Sequence, residues 1–495
     1  MRKSKSKTPK APKTIKKPDL TIEVKNFGPI SKGTVSLKNL TVLIGPNNSG
    51  KSYIAMLVHA LAESYYQRFE PSTSTLSILR RMSASDDLQI IEKNLPELKK
   101  WFNSIPPSII EKFDIPEEIS RKIIDEIYKY YYEHHLKDRI EAIYACQQTE
   151  LIRINENSFK IKITHNGNVS ELSLKRNGKA MKINNTLNID NINLEITYHH
   201  TNDEYINNLS SMTKHQIEES RHFMIKDTIE YYNKLIAERS KIPYSYYLPA
   251  SRTGILQCFR TFLVNIVNNL SFSSTRKNEP DSMQGVVVQF ISDIYQMPDK
   301  KGPLYDIASE FEQDVIMGEI FMKRLLPGSI PEILYRFNET VIPIHRTSST
   351  VSELAPIILY LKYYIEPGDI MIIEEPEAHL NPQNQRLMAK LLVRLIRAGV
   401  YVIITTHSEY LFEQLNNCRL SSKVPKEKRK DSDIEDFILP DEIGAFVFHQ
   451  DKNKSGYHIS KIDYDEDDGI SDEEFFKVTE SLYDETMKIK DLIPD

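Results

Sequence analysis

Three stretches of the sequence combine residue types able to do chemistry with the spacing that the chemistry requires. The first is Gly45-Pro-Asn-Asn-Ser-Gly50-Lys51-Ser52, which fits G-x-x-x-x-G-K-[ST]. Glycines permit a loop tight enough for backbone N–H groups to point inward at a triphosphate, and a helix that follows turns its positive end to the same place. Gly45, Pro46, Asn47, Asn48, Ser49, Gly50, Lys51 and Ser52 are therefore the candidate nucleotide contacts. Lys51 adds a point charge for the β- and γ-phosphates, and the Ser52 hydroxyl is a candidate Mg²⁺ ligand. The second stretch is Asp369-Ile-Met-Ile-Ile-Glu374-Glu375-Pro376. Its apolar run reads as a buried strand that delivers two carboxylates to a strand end, where a ligand crevice forms in open α/β sheets. Glu374 suits the Mg²⁺ shell, and Glu375 suits a general base that orients and polarises an attacking water. The third, Tyr401-Val-Ile-Ile-Thr-Thr-His407-Ser408, is another apolar strand ending in a polar cluster, and it offers His407 to the γ-phosphate or to the water.

These residues need elements to hold them. From Leu20 the chain alternates apolar and polar residues through Leu20–Lys25, Gly33–Leu37 and Leu40–Ile44, three short strands separated by turn residues. Ser52 to about Tyr66 carries Ala, Leu and Met at helical spacing, so the third strand enters a helix through the glycine-containing loop. Residues 75–150 read as helices interrupted by prolines, 150–198 as antiparallel strands with Asn-Gly turns, and 206–239 as helical again. An α/β pattern restarts at Tyr244 and continues to about Gln414, and a short α/β stretch ends the sequence. The expected class is α/β, with residues 20–495 forming one head interrupted by an insertion at 67–240 and preceded by a basic tail at 1–19.

The chain has 495 residues, 40% hydrophobic and 27% charged, which excludes collagen-like, disulfide-stapled and wholly disordered classes. No apolar run approaches the ~20 residues of a membrane span, so a cytoplasmic protein with no membrane partner is expected. Cys146, Cys258 and Cys418 match no metal spacing and read as buried small hydrophobes. The net charge is −5, although residues 1–18 hold eight Lys or Arg and no acid. That tail reads either as a solubilising extension or as a non-specific hold on nucleic acid, and Lys423–Lys430 is a second candidate for such contacts.

Taken together, the three stretches and their order resemble the ATP-binding-cassette class of ATPases, in its RecF, SMC and OLD branch. The opening "IEVKNFGPI…LTVLIGPNNSGKS" looks like that branch's start, and "IIEEPEAHLNPQNQ" looks like its fused catalytic-strand and D-loop segment. The resemblance implies a P-loop NTPase fold with an ABC-type head, an antiparallel β lobe and an inserted mainly helical region. It also implies ATP and Mg²⁺, His407 as a switch histidine, and a D-loop at Ala378–Pro382. Such heads form head-to-tail dimers in which each nucleotide is completed by the partner's signature motif. Here that motif aligns on Thr347-Ser348-Ser349-Thr350-Val351-Ser352-Glu353-Leu354, which sets Ser348 at the signature serine and Ser349 and Thr350 where two glycines are common. The alternative is that these hydroxyls only cap a helix. In similar ATPases an arginine placed like Arg252 lies near the nucleotide. Gln257 reads as a lobe-junction or a surface glutamine, and Phe27 as an adenine neighbour or a core aromatic.

What the ATP-driven motion accomplishes is open at this level. An OLD- or Gabija-type nuclease would need a Toprim domain after the ATPase, and the Asp463–Asp468 run reads more simply as a solvated loop. The leading expectation is a dimeric sensor or clamp that controls a separate effector, a nuclease or toxin encoded nearby, in antiphage defence. The alternatives are a RecF-like DNA-repair or chromosome-maintenance ATPase, and a nucleotide-dependent scaffold with incidental hydrolysis.

Overall fold

The computed structural model describes residues 19–69, 89–104, 113–130, 135–178, 182–186, 195–196, 225–226, 228–232, 243–258, 284–324, 326, 331–431, 436–452, 456–462, 464–465, 469–470 and 473–492. The basic tail at 1–18 and most of the helical reading at 206–239 lie outside them.

Eleven strands form one sheet. In chain order they are β1 (Leu20–Phe27), β2 (Ile30–Ser36), β3 (Leu40–Ile44), β4 (Ser158–His165), β5 (Asn168–Lys175), β6 (Lys182–Thr186) and β7 (Ser245–Leu248). A separate three-stranded sheet, β8 (Glu319–Lys323), β9 (Glu332–Phe337) and β10 (Thr340–Pro343), comes next. The large sheet is completed by β11 (Ile370–Glu374), β12 (Tyr401–Thr406), β13 (Ile443–Gln450) and β14 (Tyr457–Lys461). Its spatial order is β6-β5-β4-β1-β2-β14-β13-β3-β12-β11-β7. The five strands from β13 to β7 run parallel, whereas β2, β1, β4, β5 and β6 pair antiparallel.

The parallel strands are buried on both faces, which is why they read as unbroken apolar runs. Period-2 alternation divides them between two cores. Ile370, Ile372, Tyr401 and Ile403 face the core of helix α1 (Lys51–Phe69). Met371, Ile373, Val402 and Ile404 face the opposite core, built with α6 (Tyr305–Ile316), α7 (Ser349–Tyr363), α8 (Pro382–Arg397) and α9 (Glu409–Leu420). Helices α2 (Pro96–Ser104), α3 (Glu117–Tyr130), α4 (Lys137–Tyr144) and α5 (Gly285–Gln296) precede them in the chain. Ile22, Val24, Ile161, Ile163, Leu172 and Leu174 of the antiparallel strands join the α1 core. The α1 core also takes in apolar residues of helices α2, α3 and α4, and among the described residues the other face of these antiparallel strands is exposed or half-buried. Phe27 is core, fully buried with edge-on contacts to Tyr53, Tyr144 and Phe159, and Gln257 is exposed.

The cysteine expectation needs correction. Cys418 is buried, but Cys146 is half-buried and Cys258 exposed, because the 252–258 helical segment turns only Arg252 and Leu256 inward.

Candidate functional site

The site lies where the parallel strands end. Register sets Ile44 of β3 beside Thr406 of β12 and Thr405 beside Glu374 of β11. The phosphate loop, the carboxylates and the histidine therefore leave the sheet side by side. This is a consequence of pairing three apolar strands whose polar ends begin at the same level.

The loop from Gly45 into α1 depends on unusual backbone. Gly50 has φ +103°, and a Cβ there would meet Ile30 at 2.7 Å, so only glycine fits without displacement. Asn48 takes φ +61°, a conformation asparagine tolerates better than most residues. Lys51 starts α1 and folds back, its Nζ donating to the carbonyls of Gly45 at 2.8 Å and Pro46 at 2.9 Å. Burial pushes its pKa down to about 8, against the pull of Glu375, Glu377 and Glu374, in that order. Lys51 and these three acids thus lie within electrostatic range of one another.

Glu374 is the last residue of β11 and is buried. Its Oε2 accepts a hydrogen bond from Ala250 N at 3.0 Å, while Oε1 makes no well-formed hydrogen bond among the described residues, with the buried Tyr247 hydroxyl beside the carboxylate. A buried carboxylate oxygen without a well-formed hydrogen bond is costly unless a cation meets it, so Glu374 together with Ser52 fits a divalent ion of the Mg²⁺ kind. Glu375 follows with φ +45°, a conformation that costs about 1 kcal/mol or more in a non-glycine residue. The cost is offset locally, since its N–H donates to the Thr405 carbonyl at 2.9 Å and to Thr405 Oγ1 at 3.2 Å.

His407 is exposed at the end of β12. Partial burial and then the charge of Lys51 lower its pKa, favouring the neutral ring. Its backbone is fixed by a residue that the sequence reading did not select. Glu377 Oε1 accepts from Thr406 Oγ1 and from His407 N, both at 2.7 Å, and burial raises the pKa of this carboxyl. The signal in the sequence was its place in Glu374-Glu375-Pro376-Glu377, where only the first two acids were assigned roles.

Arg252, expected as a nucleotide neighbour, makes its bonds to the protein itself. It is fully buried. Nη1 donates to the carbonyls of Pro249 at 3.1 Å and Glu374 at 2.6 Å, Nη2 to the Glu375 carbonyl at 3.0 Å, and Nε to the Glu353 carbonyl at 3.3 Å. An ion pair to Glu353 at 2.9 Å completes the set. The guanidinium is thereby committed to the backbone that carries the two carboxylates and to α7, and it is a positioning residue.

Ser348 is the N-cap of α7, its hydroxyl accepting from Val351 N at 3.4 Å, and Ser349 opens the helix. Both are exposed. Among the described residues, no hydrogen bond joins either to the phosphate loop. Ser348 borders a separate groove of about 520 Å³ lined also by Met317, Tyr335, Phe337, Arg346 and Asn384 among others. Thr350 Oγ1 donates to the His379 carbonyl at 3.0 Å, fastening this helix start to the segment expected as the D-loop.

The AAA ATPase domain model matches residues 20–412. A comparison with curated proteins gave no match. Among solved structures, the chain is similar to an Smc head bound to the C-winged helix domain of ScpA, with 13% identity, TM-score 0.38, and 89% of this chain and 97% of that chain covered. It is similar to a Pyrococcus furiosus Smc head bound to the C-terminal domain of ScpA, with 12% identity, TM-score 0.37, and 94% and 100% covered. A third similarity is to the Thermotoga maritima SMC head domain, with 11% identity, TM-score 0.35, and 90% and 98% covered. The family match spans the phosphate loop, the carboxylate strand and the histidine, and the chain belongs to the AAA ATPase domain family.

Proposed function

We propose that the chain is a Mg²⁺-dependent ATP hydrolase that works as a head-to-tail dimer, and that the dimer is an OLD-like sensor or clamp controlling a separate effector, a nuclease or toxin, in antiphage defence. The observation that carries the dimer is the division of the site. Lys51, Glu374, Glu375 and His407 gather at the strand ends, whereas Ser348 and Ser349 open a helix beside a different groove. A helix start with exposed hydroxyls suits a γ-phosphate, and a second copy of the chain is what would bring one to it.

In this reading the loop amides and Lys51 hold the phosphates, which requires Lys51 to exchange its carbonyl partners for phosphate oxygens. Glu374 and Ser52 would hold Mg²⁺, which supplies charge neutralisation on the phosphates. Glu375 accepts a proton from the attacking water while its oxygen bonds to the phosphorus and the bond to the leaving diphosphate breaks. His407, neutral and backbone-fixed by Glu377, can donate one ring N–H to the γ-phosphate or the water. Arg252 keeps both carboxylates aimed through their own backbone.

Downstream of His407, strands β13 and β14 are members of the ATPase sheet, pairing with β3 and β2. The dimer is tested by sedimentation of Glu375→Gln with ATP and Mg²⁺. A nucleotide-dependent doubling of mass is expected, and a monomer at all ATP concentrations would remove the composite site. The role is tested by adding this dimer to the purified product of the neighbouring gene, whose nuclease or toxic activity should change with the nucleotide bound.

A further inference from the structure

The outer face of the antiparallel lobe carries a charge pattern that only the strand register reveals. Lys32 of β2 pairs with Lys25 of β1, Lys25 with Lys160 of β4, Lys160 with Ser173 of β5, and Ser173 with Lys182 of β6. Four lysines thus lie in one row perpendicular to the strands, all exposed. At ~4.8 Å between strands the row spans roughly 19 Å. Among the described residues, none of the four makes an ion pair.

The adjacent row shows what a charge-balanced arrangement looks like on the same strands. There Thr34, Glu23, Lys162, Glu171 and Asn184 are paired in sequence, so charges alternate, and Lys162 bonds Glu23 at 3.0 Å. Like charges directly opposite each other destabilise a sheet, and both acids of this row flank Lys162. The lysine row therefore carries a repulsion that folding does not need, since the opposite face of the same strands already supplies the core.

Among the described residues no helix covers this face. It forms an open groove of about 640 Å³ whose lining includes Lys25, Lys32, Lys160, Lys461, Thr34 and Ser173. Lys162 and the acids Glu23 and Glu171 also line it, so lysines outnumber carboxylates and the groove is net cationic, with Lys182 continuing the row beyond the lining, which complements phosphate oxygens spaced along a line. The row is longer than a triphosphate, its own side chains include no aromatic or large apolar group of the sort that enters a bilayer, and Phe446 and Ile459 in the groove lining are buried. We propose that the row Lys32, Lys25, Lys160 and Lys182 binds the phosphate backbone of a nucleic acid. The contact is independent of base sequence, since lysine on a flat sheet reads backbone rather than base edges. It is a surface distinct from the basic tail and from Lys423–Lys430, and it does not depend on the hydrolysis reading.

The test uses the full chain and fluorescence anisotropy with a labelled duplex of about 30 base pairs and the matching single strand, titrated between roughly 50 and 200 mM salt. Lys25→Gln/Lys32→Gln/Lys160→Gln/Lys182→Gln should bind about tenfold or more weakly, with a log–log salt dependence shallower by about 3 to 4, as each lysine releases about one counterion. Ser173→Glu, which keeps every lysine but sets a carboxylate in the middle of the row, should also weaken binding while raising the melting temperature. ATP affinity should be unchanged in both variants, separating this surface from the nucleotide site. Wild-type affinity and salt slope in the quadruple variant would overturn the proposal. So would wild-type protein that binds neither probe, or that binds anionic phospholipid vesicles through these lysines and no nucleic acid.

Discussion

Replacing Arg252 with methionine keeps most of the side-chain volume and removes the charge. The structure sets the scale of the effect. Glu353 is 1% exposed and Arg252 0%, so the substitution leaves a buried carboxylate held only by Thr253 N at 3.0 Å and Thr253 Oγ1 at 2.7 Å. Breaking a buried pair by removing one partner costs about 3–5 kcal/mol. At a urea slope of about 3 kcal/mol per molar the unfolding midpoint should fall by about 1 to 1.7 M. Arg252→Met/Glu353→Gln removes both charges and should recover at least ~1 kcal/mol of the loss. In the nucleotide assays Arg252→Met should lose hydrolysis far more than ATP affinity, because its bonds go to the carbonyls of Glu374 and Glu375. Unchanged urea stability with an equal loss of ATP affinity and turnover would refute this and return Arg252 to the nucleotide.

Three further outcomes follow from the site. Lys51 has a pKa lowered by burial to about 8, and an adjacent polyphosphate raises it again, so ATP binding above pH 8 should take up a proton and weaken as pH rises; calorimetry in buffers of different ionisation enthalpy reads this, and no uptake would contradict it. In the apo protein the sign is the reverse, because the folded pKa lies below the unfolded 10.5, so this group adds stability as pH rises from about 8 towards 10.5. Glu377→Ala loses acceptors for Thr406 Oγ1 and His407 N and should cost about 2 kcal/mol or more in thermal stability together with much of the turnover, whereas Glu377→Gln should keep the fold. Mixing Lys51→Ala with Ser348→Arg should restore hydrolysis above either parent through one intact composite site per mixed dimer, while a mild Ser348→Arg phenotype, about 1 kcal/mol of lost capping, with no complementation would reduce Ser348 to a cap.

The parts of the site legible in the sequence are those carried by contiguous residues. Gly50 and Lys51 announce their loop because the backbone that needs glycine and the lysine that fills it are neighbours. Glu374 and Glu375 announce themselves because four apolar residues drive them to a strand end. Arg252 and Glu353 were not legible as a pair, since their contact joins a helical segment after β7 to the start of α7 and either charge alone reads as surface or site. Glu377 was hidden by its acidic neighbours, and only its bonds to Thr406 and His407 distinguish it. The lysine row was invisible for a geometric reason. Lys25, Lys160 and Lys182 each adjoin an apolar residue like any solvent-facing strand position, Lys32 lies between Ser31 and Gly33, and their alignment exists only in the cross-strand register. The placement of β13 beside β3 was likewise unreadable, because a parallel strand carries no local mark of its neighbour.

The central claim is that Glu375 activates water at a site that Lys51 assembles, and single-turnover phosphate release tests it most directly. With ATP and Mg²⁺ the wild-type protein should release phosphate, and Glu375→Gln should bind ATP with similar affinity but release it at least ~100-fold more slowly. Equal release by the two proteins, or release that survives Lys51→Ala, would contradict the account.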